Sequence, residues 1–190
     1  MSLENTKTEQ NLLKSFAGES QARTRYEMFA SIAKKEGYEQ IAAIFEETAL
    51  QEKEHAKRFF RFLEGRMVEI TATYPAGKEG TTIENLKAAA DGEKEEWSDL
   101  YPEFARIAKE EGFNEISVAF KMIAKVEAEH EKRYLRLLEN MKNNSVFKKE
   151  KPIRWQCRNC GYIHEGTSAL EKCPACLHPK AYFQEEPLNY

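Results

Sequence analysis

The sequence contains no long uninterrupted run of apolar residues, and its first 156 residues contain no cysteine. Residues 1–10 are polar, so we expect neither a signal peptide nor a membrane span, and a cytoplasmic location. Basic residues are not in excess, because 29 Lys and Arg stand against 32 Asp and Glu, for a formal net charge of -3. No Lys/Arg cluster with interleaved aromatic residues occurs. A nucleic-acid partner is therefore not expected.

All four cysteines lie near the C-terminal end, in two Cys-x-x-Cys pairs with 12 residues between them. In a chain without an export signal, this arrangement is typical of a metal site rather than of disulfides. Four thiolates at this spacing form a tetrahedral S4 site, which takes zinc or a single iron, and the spacing alone leaves both metals open. The ligands of this site would be Cys157, Cys160, Cys173 and Cys176.

Four segments of the remaining sequence carry apolar residues at every third or fourth position, which predicts four amphipathic helices. We expect these helices at about residues 6–36, 38–65, 82–111 and 113–143. Residues 66–81 lack the periodicity and contain Pro75 and two glycines, so they predict a long crossover between the second and third helices. Short loops within each pair and one long crossover predict an all-α four-helix bundle of ferritin-like connectivity.

The two helix pairs are copies of one unit. Residues 26–64 match residues 101–139 at 19 of 39 positions when the sequence is shifted by 75, which indicates a duplicated fold. Upstream of this match the shift is 74, so the second copy carries one extra residue between Glu93 and Tyr101. We predict that a π-bulge in the third helix absorbs this residue. Beyond the bulge, the helical repeat predicts a buried face that contains Leu100, Phe104 and Ile107.

Acidic and histidine side chains interrupt the apolar faces of the predicted helices. Each half supplies a lone Glu on its first helix and a Glu-x-x-His on its second. The spacing of three residues lets both ligands of the second motif reach one metal from a single helical face. Buried carboxylates need a compensating positive charge, and this pattern builds di-iron or di-manganese sites in bundles. The candidate ligands are Glu19, Glu52, His55, Glu93, Glu127 and His130, with Glu96 as a seventh on the same face as Glu93.

Two tyrosines, Tyr26 and Tyr101, lie on the same apolar faces, one to two turns from the candidate Glu ligands. A phenol at this position would hydrogen-bond a ligand carboxylate and hold it in place. The alternative is a buried tyrosine whose hydroxyl finds a partner elsewhere. Glu54 and Glu129 also repeat between the halves, but they lie off the apolar face, and we expect them at the surface.

With these motifs in place, the sequence resembles the rubrerythrins over essentially its whole length. Members of this family join a ferritin-like di-iron bundle to a rubredoxin-like domain, and every position of the family's ligand pattern is filled here, from Glu19 to Cys176. We therefore expect residues 1–146 to form the bundle. Residues 147–190 would form a linker and a small rubredoxin-like β/loop domain.

The resemblance implies an enzyme, a non-haem di-iron peroxidase that reduces hydrogen peroxide to water. Two iron ions would lie in the bundle, bridged by Glu52 and Glu127, and one in the FeS4 site, where zinc is a possible substitute. Electrons would come from NAD(P)H through a carrier such as a rubredoxin or its reductase. The resemblance also implies a homodimer in which one subunit's FeS4 centre lies near the partner's di-iron site, with His178 close to the gap. One iron would move between Glu96 when oxidised and His55 when reduced.

Two other functions fit the same motifs. A ferritin-like ferroxidase or iron-storage protein would use the same bundle site, although the attached cysteine module argues against storage. A zinc ribbon on a helical scaffold would bind a partner without catalysis. A visible spectrum separates these possibilities, since a ferric FeS4 site is red and a zinc site is colourless.

Overall fold

A computed structural model describes residues 2–188 of the chain. Five α-helices and one π-helical segment form its N-terminal part. The elements are α1 (Lys7–Lys35), α2 (Glu39–Phe60), α3 (Thr82–Glu95), the π-helical segment (Glu96–Leu100), α4 (Tyr101–Glu110) and α5 (Asn114–Lys142). Because α3, the π-helical segment and α4 follow one another directly, they form a single rod. The predicted four-helix bundle with one long crossover is therefore confirmed. Within the described residues, no helix is long and apolar enough to cross a membrane.

The π-helical segment confirms the bulge that the change of repeat offset predicted. The extra residue rotates the following turns relative to the preceding ones, and for this reason the predicted buried face was wrong. Leu100 is 37% exposed, and Phe104 and Ile107 are only half-buried. The residues that α4 buries instead are Tyr101, Ala105 and Ala108.

Helix α2 ends at Phe60 and not near residue 65 as predicted. The amide of Phe62 bonds to the carbonyl three residues back, at 3.2 Å, so the chain tightens into a turn and leaves the helix. This exit brings Arg66 to Glu9, a buried carboxylate to which the guanidinium donates two hydrogen bonds. A buried charge needs such a partner, and the ion pair fixes the start of the crossover.

The two halves of the bundle cap each other's helices. Glu111 accepts hydrogen bonds from the amides of Lys7 and Thr8, at 3.1 and 2.8 Å, and from the Thr8 hydroxyl at 2.6 Å. Its equivalent in the first half, Glu36, accepts one from the amide of Thr82 at 3.0 Å. A carboxylate satisfies the free N–H groups of a helix N-terminus and complements its dipole. These contacts hold the two pairs in a pseudo-two-fold arrangement.

The core of the bundle consists of two apolar clusters, with a polar layer between them. On α2, Ala49 belongs to one cluster and Phe59 to the other, and Glu52 and His55 lie between these positions. The other helices carry their acidic residues at the same level between the clusters. The polar layer is thus closed from both ends by packed aromatic and aliphatic side chains.

The C-terminal module is a three-stranded antiparallel sheet in the order β2-β1-β3. Its strands are β1 (Lys148–Cys157), β2 (Ile163–Ser168) and β3 (Phe183–Glu185), and a 3₁₀ turn covers Lys180–Tyr182. Trp155 and Phe183 form its small core with Cys157, Cys173 and Ala169. The Trp155 indole donates to the carbonyl of Gly166 at 2.9 Å.

The module packs against the end of the bundle where α1 turns into α2. Phe147 stacks on Tyr38 there, with ring centroids 6.0 Å apart. Val146 packs against the bundle core, whereas Phe147 packs against the core of the module. The domain boundary between residues 146 and 147 stays a prediction.

Candidate metal centres

Six of the predicted ligands form two compact groups in the polar layer of the bundle. In each group, the ligand atoms all lie within 4.8 Å of one another. The first group comprises Glu19, Glu52, His55 and Glu127, and the second comprises Glu52, Glu93, Glu127 and His130. Glu52 and Glu127 belong to both groups, which is the position that a carboxylate bridging two ions would occupy.

The two shared glutamates present one oxygen to each histidine. His55 Nδ1 lies 2.9 Å from Glu52 Oε2 and 2.8 Å from Glu127 Oε1. His130 Nδ1 lies 3.1 Å from Glu52 Oε1 and 2.8 Å from Glu127 Oε2. The site therefore follows the pseudo-two-fold symmetry of the duplicated chain.

Several polar atoms of this layer are buried without a hydrogen-bond partner among residues 2–188. They are one oxygen each of Glu19, Glu52 and Glu93, both oxygens of Glu127, and His130 Nδ1. The four glutamates are at most 1% exposed. His130 Nδ1 and Glu127 Oε2 approach to 2.8 Å without the alignment of a hydrogen bond. Orphaned buried carboxylates are costly. Oxygen and nitrogen atoms that converge side by side instead suit a pair of metal ions.

The pKa values of the cluster residues also indicate that this layer stabilises positive charge. Burial lowers the pKa of His55, but the carboxylates of Glu127 and Glu52 outweigh it and raise this pKa to about 10. The same opposing effects raise the pKa of His130 to about 12. Burial and the negative charge of Glu52 raise the pKa of Glu93 to about 8. Glu52 is the exception: burial raises its pKa, but hydrogen bonds with His130 and His55 outweigh this and lower it to about 2. Its carboxylate thus keeps its negative charge and holds the two histidines in their protonated form, as a site built for cations would.

Glu96, the seventh predicted ligand, lies beside the cluster and belongs to neither compact group among the described residues. It is the first residue of the π-helical segment and is half-buried. Burial, reinforced by the negative charges of Glu93 and Glu127, raises its pKa well above the usual value, so the carboxyl is close to the cluster although it keeps some contact with solvent. Its role as a ligand stays a prediction.

Each predicted tyrosine bonds to the lone Glu of the other half. The Tyr26 hydroxyl donates to Glu93 Oε1 at 2.6 Å, and the Tyr101 hydroxyl donates to Glu19 Oε1 at 2.5 Å. Such bonds fix the orientation of a carboxylate and leave its second oxygen free for a metal. Glu54 and Glu129, by contrast, point outward and pair with neighbouring lysines.

Gln51 is a residue of the site that sequence reasoning missed. Its side-chain oxygen lies 2.9 Å from His130 Nε2, and Arg133 holds the same oxygen at 3.2 Å. Because this contact occupies Nε2, it leaves His130 Nδ1 directed at the carboxylates. The equivalent position in the second half is Val126, so the repeat gave no signal for a glutamine here.

The four cysteine sulfurs converge on one point of the module, again within 4.8 Å of one another. The distance from Cys157 to Cys176 is 3.7 Å and that from Cys160 to Cys173 is 3.6 Å, sulfur to sulfur. A tetrahedron with metal–sulfur bonds of about 2.3 Å has edges of about 3.8 Å. The arrangement therefore fits a single tetrahedral metal ion.

The two cysteine knuckles share one backbone conformation. In the first, the amide of Gly161 bonds to the carbonyl of Cys157 at 2.8 Å, and in the second the amide of Leu177 bonds to that of Cys173 at 2.9 Å. Both Gly161 and Leu177 have positive φ angles, of 80° and 63°. In the first knuckle, the glycine indicates this turn at the level of the sequence. In the second knuckle no glycine is present, and a leucine adopts the strained conformation instead.

His178 lies beside the second knuckle and is half-buried. Its backbone N–H donates a hydrogen bond to the sulfur of Cys176. This bond is the main reason that the pKa of the Cys176 thiol is lowered to about 6. The imidazole packs edge-on against Tyr182, with centroids 4.5 Å apart. Backbone donors to sulfur stabilise a thiolate and so suit a metal ligand.

Comparison with known proteins agrees with this division of the chain. A family model described as rubrerythrin matches residues 10–138, and one described as the rubredoxin-like domain of rubrerythrin matches residues 155–184. A rubrerythrin of Porphyromonas gingivalis is 64% identical over 189 residues, which cover 100% of this chain and 94% of that protein. A rubrerythrin of Nitratidesulfovibrio vulgaris is 54% identical, with 100% and 99% covered.

A solved structure of nigerythrin in a mixed-valence state has the same fold. It superimposes with a TM-score of 0.62 at 33% identity, and the match covers 97% of this chain and 91% of that one. Both parts of the chain thus have counterparts in these relatives. This protein therefore belongs to the rubrerythrin family, whose di-iron site and rubredoxin-like four-cysteine site it carries.

Proposed function

We propose that this chain is a peroxidase that reduces hydrogen peroxide to water with electrons that pass through its four-cysteine centre. The observation that carries the proposal is the presence, on one chain, of a buried carboxylate and histidine cluster and a separate four-cysteine site. Rubrerythrins are generally oxidoreductases, and the family relationship supports this class of reaction. NAD(P)H would be the ultimate reductant, with a rubredoxin or its reductase as the carrier.

The residues of the cluster would divide the work of holding two ions. Glu52 and Glu127 would bind both ions, Glu19 and His55 would complete one coordination sphere, and Glu93 and His130 the other. Iron bound in this way would supply Lewis acidity and, one from each ion, the two electrons that break the O–O bond. The overall change takes up two protons and two electrons and releases two molecules of water.

Tyr26 and Tyr101 would keep the lone glutamates in place throughout turnover. Burial, with the nearby negative charge of Glu93 or Glu19, raises the pKa of each phenol well above its usual value. The phenols therefore keep their protons and continue to donate to these carboxylates. A carboxylate held through one oxygen can adjust its contact to a metal through the other.

The position of the module supports the predicted homodimer. Tyr38, on which the module stacks, precedes Glu52 on α2 by 52 − 38 = 14 residues, or about 21 Å along the helix at 1.5 Å per residue. Within one chain the module thus docks at one end of the bundle, away from the cluster in the middle layer. A partner subunit that places its own module beside the cluster would shorten the electron route.

Two variants and a control test the proposed reaction. We expect Glu96→Ala and Cys160→Ser each to abolish NADH-linked peroxide reduction, while Glu129→Ala, which removes an exposed acid near the cluster, leaves it unchanged. Circular dichroism and iron analysis establish that the bundle is folded and loaded. Undiminished turnover in Cys160→Ser would overturn the electron route. A colourless, zinc-filled four-cysteine site in the purified protein would favour the non-catalytic scaffold instead.

A further inference from the structure

A cavity of about 390 Å³ lies against one side of the bundle cluster, where α1, the π-helical segment and the crossover meet. Tyr26, Tyr101 and Glu96 contribute to its lining. Because the two phenols bond directly to Glu93 and Glu19, the inner wall of the cavity is the outer face of the cluster. The lining includes Glu96 but none of the six residues of the compact groups, so the phenols and Glu96 stand between the cavity and the buried ligands.

Residues 71–75 of the crossover line this cavity. Among residues 71–79, all of them within the described part of the chain, Tyr74 alone is not exposed. Its hydroxyl donates to the carbonyl of Lys14 on α1 at 2.6 Å. This bond ties the crossover to the bundle and holds the aromatic ring over the cavity.

Gly18 sets the width of the space beneath the Tyr74 ring. A Cβ atom at Gly18 would lie 3.6 Å from Tyr74 Cε1 and 4.0 Å from Glu96 Oε1. The ring and the carboxylate thus face each other across the missing side chain, and any larger residue would fill the gap. Gly92, the equivalent position in the second half, lines the same cavity, but an added Cβ there would have no described heavy atom within 4 Å.

The cavity borders an acid of the second half that has no equivalent in the first half. Glu96 follows Glu93 by three residues, and the residue three after Glu19 is Ala22, so the first half has no second acid at this position. Glu96 is also the candidate carboxylate that keeps partial exposure, whereas the four glutamates of the compact groups are buried. The acid that the π-helical segment aims at the cluster is the one that borders the cavity.

We propose that this cavity is the route and binding pocket for a hydroperoxide substrate, and that the Tyr74 ring above Gly18 limits the size of the group attached to the peroxide oxygen. The inference rests on the proposed peroxidase function and adds its substrate class. Leu100 and Phe104 line the same cavity and provide apolar surface for a small alkyl group. An alkyl hydroperoxide would take up two protons and two electrons and yield an alcohol and water.

The first test compares two hydroperoxides of different size in the loaded, full-length enzyme. Removal of the ring in Tyr74→Ala is expected to raise the ratio of kcat/KM for tert-butyl hydroperoxide to kcat/KM for hydrogen peroxide by about tenfold, the scale of steric discrimination by a fitted pocket. Tyr74→Phe, which keeps the ring, is expected to change this ratio far less. An unchanged ratio in Tyr74→Ala would overturn the size limit.

The second test measures access without turnover. Azide binding to the oxidised, iron-loaded protein is followed by stopped-flow absorbance in Gly18→Val and in the control Gly77→Val. Gly77 lies on the crossover outside the lining of this cavity, and a Cβ atom there would have no described heavy atom within 4 Å. We expect the association rate to fall about tenfold in Gly18→Val only, with equal iron contents in both variants. Equal rates in the two variants would refute this route.

The two proposals fail in different ways. If the wild-type protein does not reduce hydrogen peroxide, the proposed function is wrong, but the azide rates still show whether small molecules reach the cluster through this cavity. If the wild-type protein is active and both the substrate ratio and the azide rates are insensitive to these substitutions, the peroxidase function stands and the cavity is not its route.

Discussion

Substitution of Tyr101 by Phe is expected to weaken metal binding in the bundle without unfolding it. The hydroxyl donates to Glu19 Oε1 at 2.5 Å in a buried environment, and the remaining oxygen of Glu19 has no hydrogen-bond partner among the described residues. Phe keeps the aromatic contacts of the ring, whose centroid lies 5.6 Å from that of Phe59. The substitution therefore removes one donor and little else.

The magnitude follows from the nature of this bond. A hydrogen bond to a charged group contributes roughly 1.5–3 kcal/mol, and loss of an outer partner of a metal ligand typically costs about 10–100-fold in affinity. At about 1.4 kcal/mol per tenfold, the two ranges agree. We expect Tyr26→Phe to act on Glu93 to the same extent, because the two halves of the site are equivalent.

Anaerobic titration of the metal-free protein with Fe(II) by calorimetry measures this effect. Tyr134→Phe is the matched control, since Tyr134 is as deeply buried but, among the described residues, its hydroxyl donates to no carboxylate of the cluster. We expect its affinity to stay within about twofold of the wild type, because no hydrogen bond to a metal ligand is lost. Equal affinities for Tyr101→Phe, Tyr134→Phe and the wild type would refute the role of the phenols.

Three further expectations concern stability. The pKa of Glu93 is raised from 4.5 to about 8, and those of His55 and His130 are raised from 6.5 to about 10 and about 12. Between pH 4.5 and about 12 the folded chain therefore holds protons that the unfolded chain has released, so urea unfolding of the metal-free protein should show stability falling as pH rises through this window; a rise would contradict this sign. Leu177→Gly should stabilise the cysteine module by about 1 kcal/mol in denaturant unfolding, because it relieves a positive φ of 63°; a loss of stability would argue against strain. Glu111→Ala should cost about 0.5–2 kcal/mol of unfolding free energy through the lost cap of α1, and an unchanged midpoint would show that the cap contributes nothing.

Much of the fold was predictable because duplication makes its signals appear twice. The apolar repeat located all four rods, and the change of offset from 75 to 74 located the π-helical segment. The phase of the helix beyond it was not predicted, since a π-turn rotates every following residue by an amount that a simple repeat does not contain. Leu100 was for this reason assigned to the core.

The site was predictable as far as each residue lies on a repeated, buried face. The two compact groups consist of residues that the sequence singled out. The contacts made by Gln51 and Tyr74 were not found, since each depends on how distant segments meet and neither has an equivalent in the other half. The caps that Glu111 and Glu36 provide were not predicted either, because they also depend on how distant segments meet. Both residues directly precede a helix-ending glycine, and this repeated position was a usable signal.

Diffraction from crystals of the iron-loaded protein, with anomalous data collected at the iron edge, tests the central claim most directly. We expect two peaks about 3.5–4 Å apart, both in contact with Glu52 and Glu127, and a third peak inside the four cysteines. A single peak in the bundle, or ions bound only to exposed carboxylates, would contradict a paired-iron site in the polar layer.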